Sequence, residues 1–206
     1  MLAGPTGCGK TRLLAELSRQ GQQTLDLEAL AVHRGSLLGD LPDTPQPTQK
    51  WFDSLLLQAL RQLDPERPVW VEAESKKIGV LQLPDSLFEA MHRSPVTHLT
   101  APMSARVDLW REDYPHFAAD PIRMVQKLEP LKPLVGGEVL ADWHAMAASG
   151  DVNSLFESIM VKHYDPCYAR SVKRNYGEVG DGGKLDLAGV DLGSLTRAAG
   201  SLVGRT

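Results

Sequence analysis

The chain has 206 residues, 42% of them hydrophobic and 23% charged, with a formal net charge of −4. That length carries one sizeable core, or a domain with a helical appendage, and the composition is that of an ordinary globular protein. No apolar run is long enough to span a bilayer, no secretory signal opens the chain, and the acidic balance disfavours non-specific nucleic-acid binding outside a local basic patch.

These features point to the cytoplasm. Two cysteines, Cys8 and Cys167, are too few for a disulfide framework or a zinc site of the usual spacing.

The first element is the stretch Gly4-Pro5-Thr6-Gly7-Cys8-Gly9-Lys10-Thr11, which fits the phosphate-loop pattern G-x-x-x-x-G-K-[ST]. Its glycines let the backbone turn sharply and bring N–H groups onto phosphate oxygens. Lys10 supplies a mobile positive charge, and Thr11 a hydroxyl for magnesium. Cys8 reads as a small residue tolerated at a variable position. A helix follows from about Lys10, with Leu13, Leu14 and Leu17 on one face and Gly21 as its stop signal. Such a loop normally follows the central strand of its sheet. Only Met1, Leu2 and Ala3 precede it here, about half a typical strand. The chain is therefore expected to be a fragment lacking an upstream domain.

Gln23 to Leu27 reads as a short strand ending in Asp26 and Glu28. A Gly- and Pro-rich loop follows, and then a helix from Thr48, an N-cap, with Phe52, Leu55, Leu56, Ala59, Leu60 and Leu63 on its apolar face. "RPVWVEAES" is a buried parallel strand ending in acids. "PDSLFEAMHR" is a helix, "PVTHLTAP" a strand, and "MSARVDLWRED" a helix. This alternation predicts an α/β, phosphate-loop NTPase-like domain over 1–115, a parallel sheet with helices on both faces. Residues 116–176 read as a helical extension. Residues 177–206 are Gly-rich, with one short strand or loop and a weak tail.

Glu72 and Glu74, one residue apart, point to the same face of their strand end. There they serve magnesium through water or act as a base, with the two roles not separated. Asp26 and Glu28 could orient a substrate or a magnesium-bound water, with a helix cap as the equal alternative for Asp26. His33, Arg34, Lys76 and Lys77 gather in loops at the same strand ends, where ligands of such sheets bind. Arg106 and Arg111 fall where related folds place a lid over phosphates, and an arginine there can neutralise a leaving phosphate. "KHYDPCYARSVKRNY" interleaves basic residues with tyrosines. Arg170, Lys173 and Arg174, with Lys76 and Lys77, are the RNA-contact candidates. Cys167 within it reads as structural. No N-K-x-D guanine-reading motif occurs, which argues against a GTPase.

Together "GPTGCGKTRLLAEL", "LDLEALAVHRGS", "QKWFDSLLLQAL", "VWVEAESKKIG" and "YDPCYARS" resemble the tRNA 2-selenouridine synthase family over most of residues 1–175. The resemblance implies an N-terminal rhodanese-like domain in front of this one, carrying a selenium-transfer cysteine that neither Cys8 nor Cys167 matches. It implies a tRNA with 2-thiouridine at the wobble position as substrate. It also implies two steps: S-geranylation by geranyl diphosphate, then replacement of the geranylated sulfur with selenium from selenophosphate. Without the rhodanese-like domain only the first step is expected of this chain. Lys10, Thr11 and Mg2+ (held by Thr11 and Glu72) would grip the diphosphate, and Arg34 and Arg106 would stabilise it as it leaves. Trp51, Phe52, Trp110 and Phe117 are the candidates for the isoprenoid wall. The alternatives are a small-molecule or nucleotide kinase with a base near Asp26, and a non-catalytic tRNA-binding module.

Overall fold

The computed structural model describes residues 1–176 and 181–204, the side chains of 172–176 and 181 excepted. Its centre is the shortest of strands, β1 (Leu2–Ala3). The loop that follows feeds α1 (Lys10–Arg19), then β2 (Gln23–Leu25), α2 (Leu27–Ala31), α3 (Gln49–Arg61) and β3 (Val69–Val71). A small antiparallel hairpin, β4 (Lys77–Ile78) and β5 (Leu81–Gln82), precedes α4 (Asp85–His92), β6 (Val96–Thr100) and α5 (Met103–Asp113).

β2 pairs with β3, and β1 with β6, all parallel. A bridge from Leu2 to Glu72, with the Ala73 amide donating to Leu2 O at 2.8 Å, joins the two pairs. β1 is thus central despite its two residues. Its alternating side chains serve both faces: Leu2 packs with α1, and Ala3 packs on the side of Phe52, Leu56 and Met91.

The Gly-rich segment does more than the expected strand or loop with a weak tail. β7 (Asp181–Asp186) pairs parallel with β6 and extends the order to β2-β3-β1-β6-β7. After it comes α12 (Leu192–Val203), capped by the Asp191 carboxylate on the Ser194 amide. α12 buries Leu195, Ala198, Ala199 and Leu202 against Leu13, Leu14 and Leu17 of α1. Leu202→Ala is accordingly expected to cost about 2–4 kcal/mol, the range for a buried leucine that leaves a cavity. A urea unfolding midpoint unchanged by that substitution would return the segment to a weak tail.

The helical extension comprises α6 (Pro115–Ala119), α7 (Pro121–Leu128), α8 (Lys132–Val135), α9 (Gly137–Ser149), α10 (Val152–Ile159) and α11 (Asp165–Tyr176). It has its own core, in which Trp143 is fully buried and its indole N–H donates to Ser158 at 3.0 Å. Trp110 of α5 belongs to this core, so α5 is the seam between sheet and extension. Between α10 and α11 the helix widens into a π-type turn, Met160–Tyr164. Such turns insert one extra residue and re-aim side chains, often at functional sites. Among the described residues no helix is long and apolar enough to cross a membrane.

Candidate active site

A cavity of about 700 Å³ opens beyond the C-terminal ends of the central strands. Its floor is the phosphate loop. Gly7 and Gly9 adopt φ of 77° and 82°, a left-handed backbone that turns successive amides toward one point. Gly9 caps α1, whose positive end faces the same space. A side chain at Gly4 would stand 2.6 Å from Cys8 Sγ and 2.8 Å from Leu99 O, so only glycine fits there. Cys8 itself is buried, and burial raises its thiol pKa, so it is neutral packing rather than a reactive group. Lys10 Nζ donates to Gly4 O at 2.9 Å and lies along the loop.

Three carboxylates face Lys10. Glu72 and Glu74 leave β3 on one side, as their spacing requires. Asp26 is the N-cap of α2, accepting from the Ala29 amide at 2.8 Å, and it also lines the cavity. Ending β2 at Leu25 starts α2 early enough to turn Glu28 inward. Carboxylate oxygens of Glu28, Glu72 and Glu74 all lie within 4.8 Å of one another.

The electrostatic consequence is strong. Burial raises the Glu28 pKa to about 9, with Glu74 and Glu72 adding repulsion. Burial and then Glu72 raise Glu74 to about 7. Glu72 is also raised by burial, although Lys10 and a hydrogen bond from Thr11 pull the other way. Burial disfavours the Lys10 ammonium, but Cys8, Glu72, Glu74 and Glu28 outweigh that and raise its pKa. Since the Cys8 thiol is neutral, the carboxylates carry this effect at neutral pH.

A cation fits this set. The donors are hard oxygens from three carboxylates and the Thr11 hydroxyl, the chemistry that holds Mg2+. Glu72 Oε1 is buried with no hydrogen-bond partner among the described residues, an expensive condition unless a cation meets it. The ion would rest on Thr11 and Glu72, with Glu74 and Glu28 beside it.

The cluster also sets a pH dependence. The folded-state pKa of Glu28 lies above its ordinary 4.5, so the folded protein keeps a proton that the unfolded chain releases. Its contribution is full below about 4.5 and is lost as pH rises toward 9. Glu28→Gln, which stays neutral, is therefore expected to match the wild type near pH 4.5 in EDTA. At pH 8 it should be the more stable of the two. A stability difference that does not vary with pH would refute the buried-cluster account.

The wall opposite the loop is aromatic. Trp110 and Tyr114 from α5 and its end line it together with Tyr164, Tyr168 and Cys167. Trp110 meets Tyr114 and Tyr164 edge to face, with ring centroids 5.5 and 5.4 Å apart. Tyr164, Cys167, Tyr168 and Ser171 stand at i, i+3, i+4 and i+7, one face of a helix, and all four line the cavity. That spacing was visible in "YDPCYARS", where the tyrosines read as base-stacking groups and Cys167 as structural. Of the four residues expected to wall an isoprenoid, only Trp110 lines the cavity. Trp51 is 59% exposed on α3, and Phe52 and Phe117 are closed inside the cores. Periodicity marks an apolar face but does not tell a cavity wall from a core contact.

The "HRGS" loop forms the roof. His33 is buried, its Nδ1 accepting from the Gly35 amide at 3.0 Å and its Nε2 facing Asp40 at 3.3 Å. It shapes the loop rather than meeting solvent. Arg34 lines the cavity, its guanidinium 4.6 Å over the Tyr114 ring and donating to Asp113 O. Gly35 presses against the carboxylates.

The remaining expected cations disperse. Arg106 is buried and bound to Asp165 and Thr6 O, so it is a strut beside the loop and not a lid over phosphates. Arg111 donates to Asn153 at 2.8 Å, away from the cavity. Lys76 pairs with Asp85 at 2.6 Å, and Lys77 is exposed on the hairpin. Arg170 is exposed and donates to Cys167 Sγ at 3.1 Å. Lys173 and Arg174 belong to α11, but their side chains lie outside the described residues.

Comparison with known proteins agrees with this geometry. Residues 1–131 match the family model described as the tRNA 2-selenouridine synthase AAA domain. Among curated relatives, the tRNA 2-selenouridine synthase of Nitrosomonas europaea is 39% identical over 142 residues, covering 68% of this chain and 36% of that protein. Its counterpart in Bdellovibrio bacteriovorus is 31% identical over 217 residues, 85% of this chain and 56% of the relative. The Marinobacter nauticus protein of the same name is 29% identical over 207 residues, 87% and 55%. The chain spans between about a third and just over half of the length of these relatives. With the family model matched over more than half its length, the chain belongs to the tRNA 2-selenouridine synthase family, as a phosphate-loop α/β domain with a helical extension.

Proposed function

We propose that this domain transfers a geranyl group from geranyl diphosphate to the sulfur of wobble 2-thiouridine in tRNA, the step that precedes selenation. The observation that carries the reading is one cavity with two unlike ends. At one end stand the phosphate loop, Lys10 and the carboxylate cluster. At the other stand Trp110, Tyr114, Tyr164 and Tyr168. An allylic diphosphate has the same polarity: a polyanionic leaving group on an apolar chain. Each CH₂ taken from water onto that wall contributes about 0.8 kcal/mol.

In this mechanism the loop amides and Lys10 hold the diphosphate. Thr11 and Glu72 would hold Mg2+, which would supply further neutralisation of the diphosphate charge. Arg34, fixed over Tyr114 at the cavity roof, presents a further cation to the same space. The thiouridine sulfur attacks the allylic carbon as the C–O bond breaks, so the protein needs no covalent nucleophile. The aromatic wall excludes water, which would otherwise capture the allylic centre. Selenophosphate and a rhodanese-like domain belong to the second step, for which the residues of this cavity offer no reactive cysteine at the phosphate loop.

A kinase reading shares the phosphate loop and Lys10, and both readings lose Arg106 and Arg111 as a lid, since these are bonded to Asp165 and Asn153; what favours the alkylation reading is the aromatic end of the cavity. A purely tRNA-binding module has no need of three clustered carboxylates around a lysine. The test is product accounting. With thiouridine tRNA, Mg2+ and geranyl diphosphate, pyrophosphate should be released in proportion to tRNA alkylated and without ATP. Turnover only with ATP would move the kinase reading ahead.

A further inference from the structure

Arg106 sits between two parts of the site. Its Nε donates to Thr6 O of the phosphate loop at 2.8 Å. Its Nη1 and Nη2 grip both oxygens of Asp165 at 2.9 and 2.6 Å. The loop also rests directly on this residue: a side chain built at Gly7 would lie 3.0 Å from Arg106 O and 3.3 Å from its Cβ. Arg106 is 5% exposed, so these contacts compete little with water.

Asp165 stands at a second junction. It is the first residue of α11, immediately after the π-type turn that brings His163 and Tyr164 to the cavity. Beyond it Cys167, Tyr168 and Ser171 continue the wall. A bidentate pair with Arg106 buried and Asp165 30% exposed contributes little net stability compared with apolar packing, but it fixes direction, because the guanidinium is a rigid planar fork. Movement of the Thr6–Gly7 peptide is therefore felt at Nε and passed to the first turn of α11.

We propose that Arg106 and Asp165 are positioning residues that couple occupancy of the phosphate loop to ordering of the aromatic wall, so that binding a diphosphate sets the segment from Met160 to Ser171 for the apolar group. The proposal rests on the diphosphate reading of the cavity.

The test is hydrogen exchange of the full chain with and without Mg2+ and inorganic pyrophosphate, which has no apolar part and reaches only the loop end. In the wild type, pyrophosphate should slow exchange in residues 4–13 and, by about fivefold or more, in 160–171. In Asp165→Asn the first protection should persist while the second is lost. Asp165→Glu, which keeps the charge, should restore it. Protection of the loop without protection of 160–171 in the wild type would overturn the coupling and leave the diphosphate reading intact. Full protection of 160–171 in Asp165→Asn would do the same. No protection anywhere in the wild type would remove the diphosphate reading, and the coupling with it. The wild-type comparison can overturn the coupling by itself, even where a variant folds poorly.

Discussion

Lys10→Ala is expected to lower kcat/KM for geranyl diphosphate by about a thousandfold, the scale of removing a principal charge contact to a developing anion. The argument is electrostatic. Lys10 is the cation set within the loop, and it faces Glu28, Glu72 and Glu74. Without it, the polyanionic diphosphate would approach the carboxylate cluster with only loop amides to compensate. The substitution should also raise the pKa values of Glu72 and Glu74, since Lys10 is among the groups now lowering them. Steady-state kinetics and pyrophosphate titration measure the loss of turnover and the loss of diphosphate binding separately. Activity within threefold of wild type would remove Lys10 from the diphosphate site.

Gly35→Ala is expected to reduce activity by about a hundredfold, the scale of displacing a pre-organised ligand set by roughly 1 Å. Gly35 has φ of 66°, a left-handed backbone that costs alanine about 1 kcal/mol. The larger effect is local. An added Cβ would stand 2.7 Å from Glu28 Oε1 and 2.9 Å from Glu74 Oε2, closer than real contacts allow. Those carboxylates would have to move, and with them the cation donors. The melting temperature should fall by only a few degrees. Mg2+ affinity, measured by calorimetry, should fall about tenfold as coordination geometry is lost. Unchanged Mg2+ affinity would mean that the "HRGS" loop does not buttress the cluster.

Much of this architecture can be read from pattern. α1, α3, α4 and α5 follow from helical spacing and caps, with Thr48 accepting from the Trp51 amide as an N-cap should. β3 and β6 follow from short apolar runs. The hairpin β4–β5 does not, because two-residue strands have no periodicity to detect. β7 was obscured by its glycines. A side chain at Gly182 would stand 2.8 Å from the Val96 carbonyl carbon, so glycine there is a requirement of close strand approach beside an irregularity in the ladder. Composition alone reads the same residue as a loop signal.

The site divides in the same way. The phosphate loop and the Glu72–Glu74 pair carry their geometry in their spacing. Glu28 depends on where β2 stops, which Asp26 decides by capping α2. Arg106 was misplaced because a helix position after "LTAP" cannot reveal a partner 59 residues away. Its commitment to Asp165 is a tertiary fact.

The most direct test is mass spectrometry of nucleosides from 2-thiouridine-containing tRNA incubated with this chain, Mg2+ and geranyl diphosphate. The account predicts S-geranylated 2-thiouridine at the wobble position, abolished by EDTA and formed about a thousandfold more slowly by Lys10→Ala. Folded protein that binds both tRNA and pyrophosphate yet yields no geranylated nucleoside would contradict it.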